Sequence, residues 1–355
     1  MKDWWIYQGL GTQEERLKRL TEAPPPPWRR FSGTPDPGYT PPGCSGAAWE
    51  RTVDRGEGYV PGELETDVVN TALYLRRPLL ITGKPGVGKS TLAHSIATNL
   101  GLGPVLHWPV TSRSMLRDGL YLYDAIGRLQ EANLQQLRSP AAGGDPQPSR
   151  ASHVAPHPAA PISRFLRLGP LGTALLPQNR PRVLLVDEID KSDIDLPGDL
   201  LTVFEDGGFT IPELARLAGE EPAVKIATDD AGGDRVTINS GRVQCRYFPI
   251  VILTSNGERD FPPAFLRRCV RLHLQAPDKE KLARIIRQRL GVPIADHDEY
   301  QQLVQAFIDR SADGDLATDQ LLNAIQLRLS RAWTGEEDRE RFLATVMHHL
   351  TGPSA

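Results

Sequence analysis

Gly83, Lys84, Pro85, Gly86, Val87, Gly88, Lys89 and Ser90 form the stretch that most restricts what this chain can fold into. They stand between an apolar, strand-like run at residues 78–82 and a helical pattern at residues 91–100. The spacing G-x-x-x-x-G-K-S asks for a strand, a tight loop and a helix in succession. Its glycines let backbone N–H groups turn inward around a phosphate chain, and the positive end of the following helix adds to them. In that setting Lys89 would reach the β- and γ-phosphates, and Ser90 would help hold Mg²⁺. An ordinary glycine-rich surface turn needs neither this context nor a distant acidic residue for a metal, and the chain supplies both.

The acidic residue follows the most apolar run in the sequence: Val183, Leu184, Leu185 and Val186 lead directly into Asp187 and Glu188. Four consecutive aliphatics describe a central parallel strand buried on both faces, and open α/β sheets bind ligands at the carboxyl ends of such strands. Asp187 would hold Mg²⁺, usually through water, and Glu188 would orient or deprotonate an attacking water. Acidic residues at a strand end also serve as turn formers, but two of them after this strand, in a chain with a phosphate loop, favour the metal reading. Asp190, Asp193, Asp195 and Asp199 continue the run and read as helix-start charges or interface groups ahead of metal ligands. A further buried strand at residues 250–253 ends in Thr254, Ser255 and Asn256. The Asn256 amide could hydrogen-bond the attacking water or the γ-phosphate; its plainer role is that of a turn former. Arg267 and Arg268 close a short helical pattern from residue 261, where a cation could face a neighbouring subunit's nucleotide or simply be solvated.

With 355 residues, 39% hydrophobic and 24% charged, the chain has room for two globular domains. No run approaches the eighteen or so apolar residues of a membrane span, and residues 1–7 are too polar for a secretion signal, so the expected location is the cytoplasm. A net charge of −3 gives no general reason to bind nucleic acid. Cys44, Cys245 and Cys269 are odd in number and widely spaced, which predicts reduced, structural thiols.

The expected organisation is a Trp/Pro-rich arm over residues 1–57, an α/β nucleotide-binding domain over 58–276 and a small helical domain over 277–355. In the arm only residues 14–20 look helical; its prolines could offer a polyproline ligand, but Trp4, Trp5, Tyr7, Trp28 and Phe31 favour docking on the chain's own core. Residues 121–137 read as a helix, and residues 139–161, almost all Pro, Ala, Gly, Ser, Asp and His, as a disordered loop in which His153 and His157 face solvent. Within an insert over 209–247, residues 223–228 and 235–238 should pair as a hairpin too polar at its tip to be core, and therefore projecting. Four helical patterns at residues 279–290, 298–309, 318–333 and 336–350 make the C-terminal domain, with Leu321, Leu322, Ile325, Leu327 and Leu329 as a core stripe and His348 and His349 at the surface.

A phosphate loop, an Asp-Glu pair, a later strand ending in Asn, an arginine-bearing helix and a helical lid, in this order, resemble the AAA+ ATPases over residues 58–350. Inserts at residues 165–176 and 209–247 are similar to those of the MoxR branch. The N-terminal arm is similar to that of MoxR-like ATPases in bacterial conflict systems that pair with von Willebrand A-domain proteins and peptidases. The resemblance implies an α/β P-loop core with a parallel sheet and a helical lid. It makes Gly83, Pro85, Gly86, Val87, Gly88, Lys89, Ser90 and Thr91 the Walker A loop, Asp187 and Glu188 the Walker B pair, Asn256 the first sensor, and Arg268 the arginine finger with Arg267 as its substitute. It further implies ATP and Mg²⁺ as cofactors, a homo-oligomeric ring, commonly of six subunits, and a protein client. One departure stands out: where the family's lid helix carries Ser-Pro-Arg, this chain has Thr318, Asp319 and Gln320; a neutral Gln320 cannot replace that charge, so either Arg328 takes the role from a different turn or the lid senses nucleotide weakly. The expected activity is an ATP-hydrolysing remodelling motor. The alternatives are an ATP-dependent switch or scaffold in a defence system and, behind it, a nucleic-acid translocase.

Overall fold

In a computed structural model the chain is described at residues 2–138, 161–291, 298–313, 316–330 and 339–347. The expected disordered stretch, apart from residue 161, and His153, His157, His348 and His349 lie outside the described residues. Helices α1 (Gln13–Glu22), α2 (Ala47–Gly56) and α3 (Glu63–Leu75) precede β1 (Leu79–Thr82), which runs through the glycine-rich loop into α4 (Lys89–Leu100). Then come β2 (Leu106–Pro109), α5 (Leu116–Leu120), β3 (Tyr121–Tyr123), α6 (Ala125–Arg138), β4 (Leu166–Leu168), α7 (Pro170–Ala174) and β5 (Val183–Asp187). Next in order are α8 (Leu196–Asp206), β6 (Gly208–Thr210), α9 (Pro212–Ala215), β7 (Ala223–Ala227), β8 (Arg235–Asn239), β9 (Arg242–Gln244), β10 (Ile250–Ser255), α10 (Pro263–Leu266) and β11 (Val270–His273). The chain closes with α11 (Lys279–Leu290), α12 (Asp298–Asp313), α13 (Thr318–Leu329) and α14 (Arg339–Val346).

Five strands form a parallel sheet in the order β11-β1-β10-β5-β2. The runs Leu79 to Ile81, Val183 to Val186 and Val251 to Leu253 are buried, as continuous aliphatic strands covered on both faces must be. The α/β core with a parallel sheet that the sequence predicts is therefore what forms. One consequence of the order was not legible in the sequence. Because β10 lies between β1 and β5, its end falls between the phosphate loop and Asp187.

A second, six-stranded sheet in the order β3-β4-β7-β8-β9-β6 packs on this core. It contains the expected hairpin, with Val224 opposite Ile238 and Ile226 opposite Val236. The strands of the hairpin pack into the core, while residues 231–235 at its tip are exposed. Val224, Ile226, Val236 and Ile238 are buried, and Asp230 at the turn is only 5% exposed because its carboxylate accepts hydrogen bonds from buried Arg182 (2.9 Å) and from the Tyr39 hydroxyl (2.6 Å). Polarity at a turn is compatible with burial when each group finds a partner. A correction concerns residues 121–123, expected to be helical: they form a strand antiparallel to β4, and the helix starts only after Asp124, whose Oδ1 accepts the Gly127 N–H at 2.7 Å.

The N-terminal residues dock on the core, though not through every tryptophan. Ile6 and Tyr7 are fully buried, held by Asn70, whose Oδ1 accepts both their N–H groups at 2.7 and 2.9 Å while Nδ2 donates to the Tyr7 carbonyl. Trp5 is buried with its Nε1 on Asp67, whereas Trp4 and Trp28 are 41% and 68% exposed. Helix α2, missed by the apolar pattern, packs against α4 with Gly56 at the crossing, where a side-chain carbon would come within 2.7 Å of the His94 backbone. Cys245 and Cys269 are buried free thiols, pushed up to about 12 by burial, but Cys44 is exposed and so has no structural role of the kind expected. Helices α11 to α14 gather Leu282, Ile286, Leu303, Phe307, Leu321, Ile325 and Phe342 into a separate apolar cluster. Leu321 and Ile325 of the predicted stripe are buried there; Leu329 is at the surface. Among the described residues no helix is long and apolar enough to cross a membrane.

Candidate active site

The loop between β1 and α4 is shaped by two left-handed glycines. Gly86 (φ +74) and Gly88 (φ +96) adopt a conformation that L side chains rarely reach, and a side-chain carbon on Gly86 would lie 2.2 Å from the Ala317 Cβ. Lys89, the first residue of α4, is turned back into this loop. Its Nζ donates to the Gly83 carbonyl (2.7 Å), the Lys84 carbonyl (2.9 Å) and Asn256 Oδ1 (2.7 Å). Burial lowers its pKa, a pull opposed by the charges of Asp190, Asp187 and Glu188.

Asp187, at the end of β5, is the other fixed point. Its Oδ1 accepts the hydroxyls of Ser90 (2.7 Å) and Thr254 (2.6 Å), and its Oδ2 lies 3.3 Å from His107 Nε2. Burial alone would raise this carboxyl; the hydrogen bonds from His107, Thr254 and Ser90 overcome it and bring the group down to about 2. Glu188 sits in the left-handed region (φ 62, ψ 47), an uncommon backbone state that clusters at functional sites. Its N–H donates to Thr254 Oγ1 at 2.9 Å, while its carboxylate stays half-exposed on Lys191. Thr254 thus ties Asp187 and Glu188 to β10. Asn256 is positioned by Asp190, which is buried and acts neither as a helix-start charge nor as an interface group, the two roles that the sequence suggested. Asp190 Oδ2 accepts the Ser255 hydroxyl (3.0 Å) and the N–H groups of Asn256 (2.8 Å) and Glu258 (3.2 Å).

These residues form one wall of an open cleft of about 770 Å³. Pro85, Gly86, Val87, Gly88, Lys89, Ser90, Thr91, Asp187, Glu188 and Asn256 all line it; Gly83 contributes its carbonyl to Lys89 behind the loop. The facing wall comes from Tyr59 and Val60 ahead of α3 and from α11 and α13, with Ile285, Leu290 and Leu322 as an apolar strip and Lys281 and Arg289 as cations. Lys281 pairs with Glu65 (2.6 Å), which also accepts the Tyr59 hydroxyl, and Arg289 donates to the Asp54 and Arg55 carbonyls that end α2. A floor made of the glycine-rich loop and Lys89 beside an apolar strip suits a nucleotide: anionic groups against the loop, a flat base against the strip.

The sensor positions come apart. Gln320 does not line the cleft: its Oε1 accepts the Ala317 N–H at 2.9 Å, so the side chain caps the start of its own helix. Arg328 does not line the cleft and lies over the Phe342 ring, 5.0 Å from its centroid. Arg267 and Arg268 do not line it either; Arg268 pairs with Glu205 and with the Ala264 carbonyl, and the Arg267 carbonyl accepts from Arg77. As to a metal, Ser90 Oγ and Asp187 Oδ1 form a pair of hard oxygen donors that fits Mg²⁺, an ion that usually keeps waters and shares its coordination with phosphate oxygens. No cluster of three or more His, Cys, Asp or Glu that could hold a metal by itself occurs among the described residues.

No protein-family model matches the sequence, and no curated protein matches it. Among solved structures it is similar to a candidate ATPase from Cytophaga hutchinsonii, at 14% identity and a TM-score of 0.34 over 68% of this chain and 54% of that one. It is similar also to domain III of the replication initiation protein DnaA from Thermotoga maritima (14% identity, TM-score 0.40, 83% of this chain and 98% of that one). A third is the Hsp104–ADP complex of S. cerevisiae (16% identity, TM-score 0.40, 86% of this chain). The chain spans about half the length of the first and third of these, 54% and 50%. Likenesses this distant decide nothing about activity, which has to be read from the cleft itself.

Proposed function

We propose that this chain is an AAA+ ATPase that binds ATP with Mg²⁺ in the cleft and hydrolyses it. The observation that carries the reading is the linked set Lys89–Asn256 and Ser90–Asp187–Thr254, each contact within 2.7 Å, at the ends of three adjacent parallel strands and the loop between them. Lys89 would exchange its loop carbonyls for the β- and γ-phosphates, and the backbone N–H groups of the loop would hold the rest of the chain. Bound through Ser90 and Asp187, Mg²⁺ supplies charge neutralisation for the transferring phosphoryl group. Glu188, whose carboxylate is only lightly engaged at the surface of the cleft, would take the proton of the attacking water, and Asn256 would orient that water.

In this reading the working form is a homo-oligomeric ring, of six copies as in the resembling family, in the cytoplasm. Arg268 of one copy leaves Glu205 to reach the nucleotide of the next, and turnover is coupled to remodelling of a protein client, with a von Willebrand A-domain protein as the expected partner. The position of Arg268 outside its own cleft is compatible with service to a neighbour. Gln320 favours a second reading, an ATP-dependent switch or scaffold, because that side chain is committed to capping α13 and offers no charge to the γ-phosphate. ATP turnover measured against protein concentration, with mass by light scattering, for wild type and Arg268→Ala separates the two. Steeply concentration-dependent turnover that collapses in the variant supports the ring motor; slow, concentration-independent turnover indifferent to Arg268 overturns it in favour of the switch.

A further inference from the structure

A second cavity, of about 250 Å³, opens at the free edge of the parallel sheet beside β2, enclosed by α2, α4 and the β7–β8 turn. None of the readings above uses it. Arg182, 1% exposed, forms its floor: Nη2 donates to Asp230 and the Pro104 carbonyl, while Nε and Nη1 are buried with no partner among the described residues. His94, 6% exposed, adds a second orphan, its Nδ1. At the rim, Arg51 and Arg55 stand four residues apart, on one face of α2. Neither has an ion pair or a side-chain hydrogen bond among the described residues. Two like charges at this spacing repel one another unless something negative lies between them.

The carboxylates facing the cavity do not cancel this charge. Asp230 is held by Arg182, Tyr39 and Thr228, and Asp229 by Arg167. His107, also on the wall, is turned toward Asp187. What is left over is two rim guanidinium groups above a buried guanidinium whose Nε and Nη1 have no acceptor, and the buried His94 Nδ1. Buried donors without acceptors are rare in folded proteins, because each forfeits its hydration and gains nothing in return.

We propose that this cavity is an anion-binding site, separate from the nucleotide cleft, for a small molecule carrying a phosphate group, with Arg182 as the buried anchor and Arg51 and Arg55 closing over the charge. Calorimetric titration of the full chain with inorganic pyrophosphate, in buffer containing EDTA, tests it. The Lys89→Ala variant, with its nucleotide cleft disabled, should still bind the probe, whereas Arg51→Ala/Arg55→Ala should weaken binding at least tenfold. Affinity should also fall with added salt. Arg182→Met should abolish binding, but that change enters the core, so the exposed rim pair keeps the test independent of folding. Absence of binding by wild type, loss of binding in Lys89→Ala, or indifference to the rim pair would each overturn the proposal.

Discussion

On the sheet side of the cleft, Lys89, Ser90, Asp187, Thr254 and Asn256 hold one another at 2.6–2.7 Å from adjacent strands and the loop. The helical side meets them through a few separate contacts: Lys281 on Glu65, Arg289 on the end of α2, and Ala317 and Thr318 against Gly86. The sheet side is thus preorganised, its groups partnered before any ligand arrives, so that a ligand exchanges hydrogen bonds and orders little new chain. The helical side has its own apolar cluster and is joined to the rest by contacts that can be removed singly. In the proposed reaction the first wall would carry the chemistry and the second would adjust to the nucleotide.

Changes on the sheet wall should have the largest effects. Lys89→Ala or Asp187→Asn should remove turnover, and Glu188→Gln should keep nucleotide binding while turnover falls on the order of a hundredfold or more. Nucleotide affinity and phosphate release measured in parallel check this, and normal turnover in Glu188→Gln would remove that residue from the base role. Next in size, Gly86→Val should cost about 1–3 kcal/mol at a positive φ and should also drive Ala317 away from the loop, lowering both melting temperature and nucleotide affinity.

Outside the cleft, on the face of α4 toward the second cavity, His94 should make stability depend on pH. Burial first, then Arg55 and His107, lower its pKa to about 4 from an ordinary 6.5. Between those values the unfolded chain binds the proton and the folded chain does not, so this stabilisation is complete above pH 6.5 and is lost as pH falls toward 4. The amount is about 3 kcal/mol at most, read as a shift in urea midpoint that His94→Gln should lack. The smallest effects belong to the helical wall: Lys281→Met and Arg289→Ala should each cost about 1 kcal/mol and change nucleotide affinity a few fold, leaving the pH dependence untouched. A helical-wall variant that abolished turnover as fully as Lys89→Ala would erase the distinction between the walls.

The sheet wall was also the legible one. The phosphate loop and the Asp187-Glu188 and Asn256 strand ends are short, contiguous patterns whose chemistry demands a particular local backbone. His107, Thr254 and Asp190 left no such mark. They reach the site through strand register and a side-chain bond across 65 to 80 positions, and as single residues they read as an ordinary strand histidine, a strand threonine and a helix-start or interface charge. Tyr59, Lys281 and Arg289 escaped notice for the same reason, and α2 because its contact with α4 runs through a glycine and small or amphipathic residues, without an apolar stripe.

The sequence by itself determined the α/β core, the loop and the acidic strand end, since buried aliphatic runs and obligatory glycines have few alternatives. Only the tertiary structure decided that β10 would separate β1 from β5 and set Asn256 beside Lys89, that the polar hairpin would fold onto Arg182, and that Gln320 would cap its own helix. Each of those outcomes depends on which partner a polar group finds across long stretches of chain, and a local pattern carries no record of that choice.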